Sequence, residues 1–171
     1  MIVWLNGTFG CGKTTTAAEL RFLIPSSRVF DPETVGYMLQ PNLADYPVTD
    51  FQNWPPWRRL VVATATELAQ FTGQHLIAPQ TVLDRSYLDQ IFAGLREAGH
   101  KVFHVVLDAD AGILSQRIHG SAEAQQWRLA HLPTYLQSRS WMIPVADLVV
   151  DTGHRTPGEA ARQIADALPG Q

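Results

Sequence analysis

The chain has 171 residues, 46% hydrophobic, 17% charged and 9% aromatic, with one cysteine and a formal charge of -3. This length suits one domain with a real core, and the composition excludes a disordered chain, a disulfide framework and a Cys-rich zinc site. Thirteen Lys and Arg against sixteen Asp and Glu leave no phosphate-neutralising excess, so no nucleic acid is expected as a partner.

Ile2–Asn6 reads as a buried strand, an apolar run stopped by Gly7. No basic stretch or small-residue cleavage site marks the N-terminus. No apolar run approaches the ~18 residues of a bilayer span. A cytoplasmic protein without stable membrane insertion is therefore expected. Ala17, Leu20 and Leu23 fall at helical spacing and predict a helix over Lys13–Leu23, ended by Pro25. Arg28–Asp31 is a second short strand, followed by a helix over Pro32–Leu39 with Pro in its first turn. Tyr46–Pro56 is a loop. Trp57, Leu60, Val61, Thr64, Ala65 and Leu68 share one face of a helix over Trp57–Phe71, which Gly73 stops.

His75–Ala78 is the third strand and Tyr87–Ala98 a helix ending at Gly99. Val102–Leu107 is the fourth strand, followed by a helix from about Asp110 to His119. Ala122–Ser138 is helical with a break near Pro133. Leu148–Val150 is the fifth strand and Pro157–Leu168 the last helix, whose only large apolar residues are Ile164 and Leu168, too few for membrane anchoring. Strands alternating with helices predict a single α/β domain. It is a three-layer fold with a five-stranded parallel sheet covered on both faces.

Gly7-Thr8-Phe9-Gly10-Cys11-Gly12-Lys13-Thr14 fits the phosphate-loop pattern G-x-x-x-x-G-K-[ST], with a strand before it and a helix after it. Glycines let successive backbone N–H groups curl inward, and the helix that follows adds its free amides and positive dipole end. Gly7 to Thr15 are the expected nucleotide contacts. Lys13 reaches the β and γ phosphates of ATP, and the Thr14 hydroxyl ligates Mg²⁺. Cys11 lies inside this loop, where the helix dipole and Lys13 are expected to lower its thiol pKa. Alkylation there would block nucleotide binding, and ATP would protect.

Phosphoryl transfer also needs a group that orients the acceptor hydroxyl. No long apolar run ending in Asp follows the third strand. The best carboxylate is Asp31, at the end of the second strand, where an open parallel sheet places its ligands. It is expected to take the acceptor proton or to hold Mg²⁺ through water. Glu33 pairs with the dipole in the first turn of its helix. Residues 50–59 hold Phe51, Trp54, Trp57, Arg58 and Arg59. Phe51, Trp54 and Trp57 supply stacking faces for a small-molecule substrate, and Arg58 an anion clamp. Arg117 and Arg128 flank Ser121-Ala122-Glu123-Ala124 in a region suited to a lid over about residues 119–133, and both are candidates to offset transition-state charge. The six histidines show no metal-ligand spacing, and His119 and His131 read as surface residues.

Taken together, residues 2–17 (Ile2-Val3-Trp4-Leu5-Asn6-Gly7 through Ala17), Asp31-Pro32-Glu33 with Gly36, Asp50-Phe51-Gln52, Trp57-Arg58, and Pro79 with Thr81 resemble the tunicamycin resistance protein family of P-loop proteins. The resemblance covers most of residues 1–140. It implies a P-loop kinase-like fold, ATP binding by Gly7 to Thr15, and Asp31 where related antibiotic phosphotransferases carry their base. It implies a role in tolerance of a nucleoside antibiotic. Asp84-Arg85-Ser86 resembles instead a motif of deoxynucleoside kinases. The expected function is transfer of the ATP γ-phosphate to a hydroxyl of a small molecule of the nucleoside-antibiotic type. The alternatives are ATP-dependent sequestration without chemistry and a nucleoside or nucleotide kinase.

Overall fold

Five consecutive buried residues, Ile2–Asn6, form β1, and their alternation divides the core in two. Val3 and Leu5 face one apolar cluster, Ile2 and Trp4 the other. The computed structural model describes residues 1–121 and 125–170. In chain order β1 is followed by α1 (Lys13–Leu23), β2 (Ser27–Val29), α2 (Glu33–Asn42), α3 (Pro55–Thr72), β3 (His75–Pro79) and α4 (Arg85–Glu97). Then come β4 (Val102–Asp108), α5 (Ala111–His119), α6 (Gln125–Ala130), α7 (Leu132–Met142), β5 (Leu148–Asp151) and α8 (Pro157–Ala167). A short 3-10 turn, Phe51–Asn53, precedes α3.

All strands are parallel, in the order β2-β3-β1-β4-β5. β1 therefore lies between β3 and β4, with Asn6 paired to Val106 at its carboxyl end. One face of the sheet packs on Ala17 and Leu20 of α1 and on Ala160, Ala161 and Ile164 of α8. The other face packs on Trp57, Val61 and Ala65 of α3 and on Leu88, Ile91 and Leu95 of α4. The expected α/β architecture is the observed one.

The element bounds differ where local chemistry is ambiguous. β2 runs over Ser27–Val29 rather than Arg28–Asp31, because this edge strand has only β3 as a partner. The helix expected to end at Leu39 continues through Pro41 in its last turn. The first three residues of the segment expected to be helical from Ala122, and Glu123 of the lid, lie outside the described residues. None of the described helices is long and apolar enough to cross a membrane.

Candidate functional site

The loop between β1 and α1 owes its shape to its glycines. Gly7, Gly10 and Gly12 have φ values of 139°, 79° and 90°, conformations that L side chains rarely adopt. A side chain at Gly7 would strike the Leu107 carbonyl and approach Cys11 Sγ to 2.7 Å, so the loop lies directly against β4. Asn6 fixes its first residue. The Asn6 carboxamide oxygen accepts from Gly7 N and Val82 N, both at 2.9 Å, while its amide donates to the Val82 carbonyl at 3.0 Å. Lys13 opens α1 and spans the loop, its Nζ donating to the carbonyls of Gly7 (3.1 Å) and Thr8 (2.9 Å).

Cys11 corrects one expectation. It is 0% exposed, and burial pushes its thiol up, outweighing the opposing charge of Lys13. Lys13 Nζ lies 3.9 Å from the sulfur, but loss of water around the buried thiol outweighs that charge and the helix terminus.

Two cavities meet at this loop. The first, about 450 Å³, is lined by the loop from Phe9 to Thr16 and by Thr152, Arg155, Thr156 and Pro157 beyond β5. Lys13, Thr14 and Thr15 present the N-terminal turn of α1 to it. Arg117 holds its far wall: the guanidinium donates to the carbonyls of Gly10 (3.3 Å), Thr152 (2.7 Å) and Gly153 (3.3 Å). This clasp ties α5 to both sides of the cavity.

The second cavity, about 590 Å³, has acidic and amide walls: Glu33, Asp50, Gln52, Asn53, Gln80 and Asp84. Aromatic rings from Phe9, Tyr37, Phe51, Tyr87 and Trp127 complete it. Phe9 and Arg128 line both cavities and form the seam between them. Arg128 lies over the Phe9 ring, 5.6 Å from its centroid, and donates to Ser121 Oγ at 3.0 Å. Lys13 Nζ is 5.5 Å from the same centroid. His131 packs against Trp127 with ring centroids 4.1 Å apart and planes tilted by 50°, and joins the second wall.

The acidic wall is under-compensated. Burial holds the Glu33 carboxyl above its usual range, with the Asp31 charge adding to the effect; the Tyr37 hydroxyl, Lys13 and Arg128 act against it. Burial likewise raises Asp50, opposed by the Gln52 backbone N–H and His131. Asp84 Oδ1 accepts from Ser86 N (2.8 Å), Ser86 Oγ (2.6 Å) and Tyr87 N (3.2 Å), so Asp84-Arg85-Ser86 starts α4 as a helix cap. Arg85 pairs with Asp89 on the solvent side.

The expected substrate segment divides. Phe51 lines the second cavity, whereas Trp54, Trp57 and Arg58 stand behind its wall. Trp57 is 0% exposed, and its indole N–H donates to the Pro32 carbonyl at 3.1 Å. Trp54 is buried with its N–H on the Tyr46 carbonyl. Arg58 is buried too: it donates to Gln90 Oε1 at 2.8 Å and to the Gln52 carbonyl, and lies over the Tyr87 ring at 4.0 Å. It thus braces Gln52 and Tyr87, which line the cavity, and does not line it itself. Asp31 is exposed, and its Oδ1 accepts from Glu33 N at 2.9 Å at the start of α2.

Sequence reasoning missed Asp108, which ends β4 beside β1. It is buried, accepts a 2.6 Å bond from the Tyr135 hydroxyl and pairs with Arg139 at 2.6 Å, anchoring α7 to the sheet. The apolar run Val102–Leu107 leading into an Asp was the available signal. It also missed Glu33, Asp50, Gln80 and His131 as cavity residues. Among the described residues no group of three His, Cys, Asp or Glu side chains is placed to hold a metal ion.

The AAA domain family model matches residues 2–140. No curated protein matches the chain. Among solved structures, the tunicamycin resistance protein of Deinococcus radiodurans has 25% sequence identity and a TM-score of 0.78, covering 96% of this chain and 93% of that one. The resemblance read from the sequence is therefore borne out. A sugar kinase from Janibacter sp. HTCC2649 has 21% identity and a TM-score of 0.71, over 96% of this chain and 92% of that one. The APS kinase of Mycobacterium tuberculosis in complex with AMPPNP and APS has 18% identity and a TM-score of 0.65, over 99% and 97%. These last two likenesses are likenesses of fold, a P-loop kinase-like fold.

Proposed function

The chain belongs to the AAA domain family, and we propose that it transfers the γ-phosphate of ATP to a hydroxyl of a small molecule of the nucleoside-antibiotic type, conferring tolerance of that compound. The observation that carries this reading is the seam: two cavities, one built on the phosphate loop and one on polar and aromatic side chains, share Phe9 and Arg128. A donor in the first cavity and an acceptor in the second would meet where Lys13 and Arg128 are both near the Phe9 ring.

The first cavity suits ATP. Positive-φ glycines turn the loop backbone, and the opening turn of α1 offers amides without intrahelical acceptors. Thr14 stands in that turn, where its hydroxyl would hold Mg²⁺ together with phosphate oxygens and water, so a cage of protein carboxylates is not required. Asp31 would hold the ion only through water. The metal would supply charge neutralisation on the phosphates.

In this reading Lys13 and Arg128 stabilise charge on the transferring phosphoryl group. Arg117 positions the nucleotide cavity through its carbonyl clasp. The acceptor hydroxyl gives its proton to Asp31, which stands beside the cavity-lining Glu33 at the start of α2 and does not itself line the cavity. Phe51 meets the substrate directly, while Trp54, Trp57 and Arg58 support the wall. Segment 119–133, whose residues 122–124 lie outside the described set, serves as the lid that carries Arg128.

The test is mass spectrometry after incubation with ATP, Mg²⁺ and a panel of hydroxyl-bearing antibiotics and nucleosides. A product heavier by one phosphate supports the proposal. ATP-dependent ligand binding without ADP formation would make the protein a sequestering one instead.

A further inference from the structure

We propose that the second cavity selects a hydroxylated acceptor that carries a protonated amine and rejects acceptors that carry a carboxylate or phosphate. This rests on the reading of that cavity as the acceptor site. Three carboxylates reach it from separate elements: Glu33 from the first turn of α2, Asp50 before the 3-10 turn, and Asp84 at the start of α4. Among the described residues, Arg128 is the only Lys or Arg in its lining, where His131 also stands. Arg128 stands on the seam and lines the nucleotide cavity as well. With a polyphosphate bound there, its charge and that of Lys13 are matched to phosphate oxygens. The acceptor side is then left acidic.

An independent observation points the same way. Gln80 is 2% exposed and belongs to the same wall. Its Nε2 donates to the Thr81 carbonyl at 3.1 Å, which fixes the amide, and its Oε1 has no partner among the described residues. A buried acceptor without a donor is destabilising, so such an atom marks a place where a ligand donor belongs. Carboxylates and an amide oxygen accept and do not donate. The complementary ligand is rich in donors, and an ammonium group supplies three donors with a positive charge.

Burial keeps the Glu33 and Asp50 carboxyls above their usual range, an imbalance set first by lost hydration and only partly offset by the groups around them. A protonated amine on the ligand would reverse that imbalance. An anionic ligand would be desolvated beside three carboxylates, with no guanidinium fork free of the seam to receive it. Phe9 and Phe51 offer apolar faces to the rest of the molecule.

The test is calorimetric titration of the protein saturated with AMPPNP and Mg²⁺, using glucosamine, glucose and gluconate as a matched cationic, neutral and anionic series, with kanamycin A as a larger amine-bearing polyol. The amine-bearing probes are expected to bind at least about tenfold more tightly than glucose, and gluconate more weakly still. Asp50→Asn keeps the cap of the 3-10 turn. It is expected to cut the amine preference several-fold while the AMPPNP-induced rise in melting temperature stays unchanged. Gluconate binding as tightly as glucosamine, or no amine-bearing probe binding more tightly than glucose, overturns the inference. Repeating the titrations with ATP separates the two claims. Amine-selective binding with no ADP formed would refute phosphoryl transfer and leave the selectivity standing.

Discussion

Arg128 lies over the Phe9 ring, 5.6 Å from its centroid, and among the described residues these two alone line both cavities. Arg128 sits on α6 and Phe9 on the phosphate loop, so the contact joins the lid segment to the loop. Arg128→Ala is expected to lower kcat by about 10²–10³-fold, the size of effect seen on removing one preorganised charge-stabilising donor. Nucleotide affinity should change far less, because the loop amides and Lys13 remain. Arg128→Lys should restore only part of the rate, since it loses the planar fork. Steady-state kinetics beside nucleotide titrations check this; loss of nucleotide binding with kcat unchanged would contradict it.

Cys11 is expected to resist thiol reagents. It is 0% exposed, and burial pushes its thiol up. Labelling by iodoacetamide should be on the order of a hundredfold slower in the native protein than in urea, because it requires local opening. ATP should then protect only by suppressing that opening. Rapid stoichiometric labelling of the native protein would contradict the burial.

Gly36 permits α2 to approach the 3-10 turn. A Cβ there would lie 2.7–3.0 Å from three atoms of the Phe51 ring. Phe51 in turn packs on Trp57 at 5.2 Å. Gly36→Ala should therefore displace Phe51 and cost about 1–3 kcal/mol as overpacking. The acceptor KM should rise several-fold while nucleotide affinity holds. Urea denaturation and kinetics measure the two effects separately.

His104 makes the fold sensitive to mild acid. It stands on β4 in register with Trp4, 1% exposed, its ring 5.1 Å from Phe92. Burial holds its pKa below the usual 6.5; the Val145 carbonyl and Asp147 oppose this, and Arg96 adds to it. The unfolded chain takes up a proton near pH 6.5 that the folded chain resists. Stability is thus full above 6.5 and falls as the pH drops below it. The urea midpoint of the wild type should fall more between about pH 7.5 and about pH 5.5 than that of His104→Gln. His75 and His100, shifted in the same direction, remain in both proteins and cancel.

The parts of this molecule that follow from local chemistry were legible in its sequence. β1 and α1 were expected at their observed bounds because one is a wholly buried run and the other starts at Lys13 after a glycine loop. Trp57 shows the conflict between two signals. Its helical spacing with Val61 and Ala65 marked it as core, while its aromatic neighbours suggested substrate contact, and the core position is the observed one. Asp108 is not legible because the apolar run ends at Leu107, and the Tyr135 and Arg139 contacts from α7 are what give it a role. The acidic wall was not legible at all. Glu33, Asp50 and Asp84 are far apart in the chain, and each reads locally as a helix-start or turn residue. Their common cavity exists only once the sheet has brought α2, the 3-10 turn and α4 together.

The central claim is tested most directly by following the label of γ-³²P-ATP in the presence of Mg²⁺ and a panel of hydroxyl-bearing acceptors, with wild type beside Lys13→Ala. The proposal predicts label on one class of acceptor with wild type, ADP formed in equal amount, and neither with Lys13→Ala. ATP bound by the wild type, with no label leaving it for any acceptor, would contradict phosphoryl transfer.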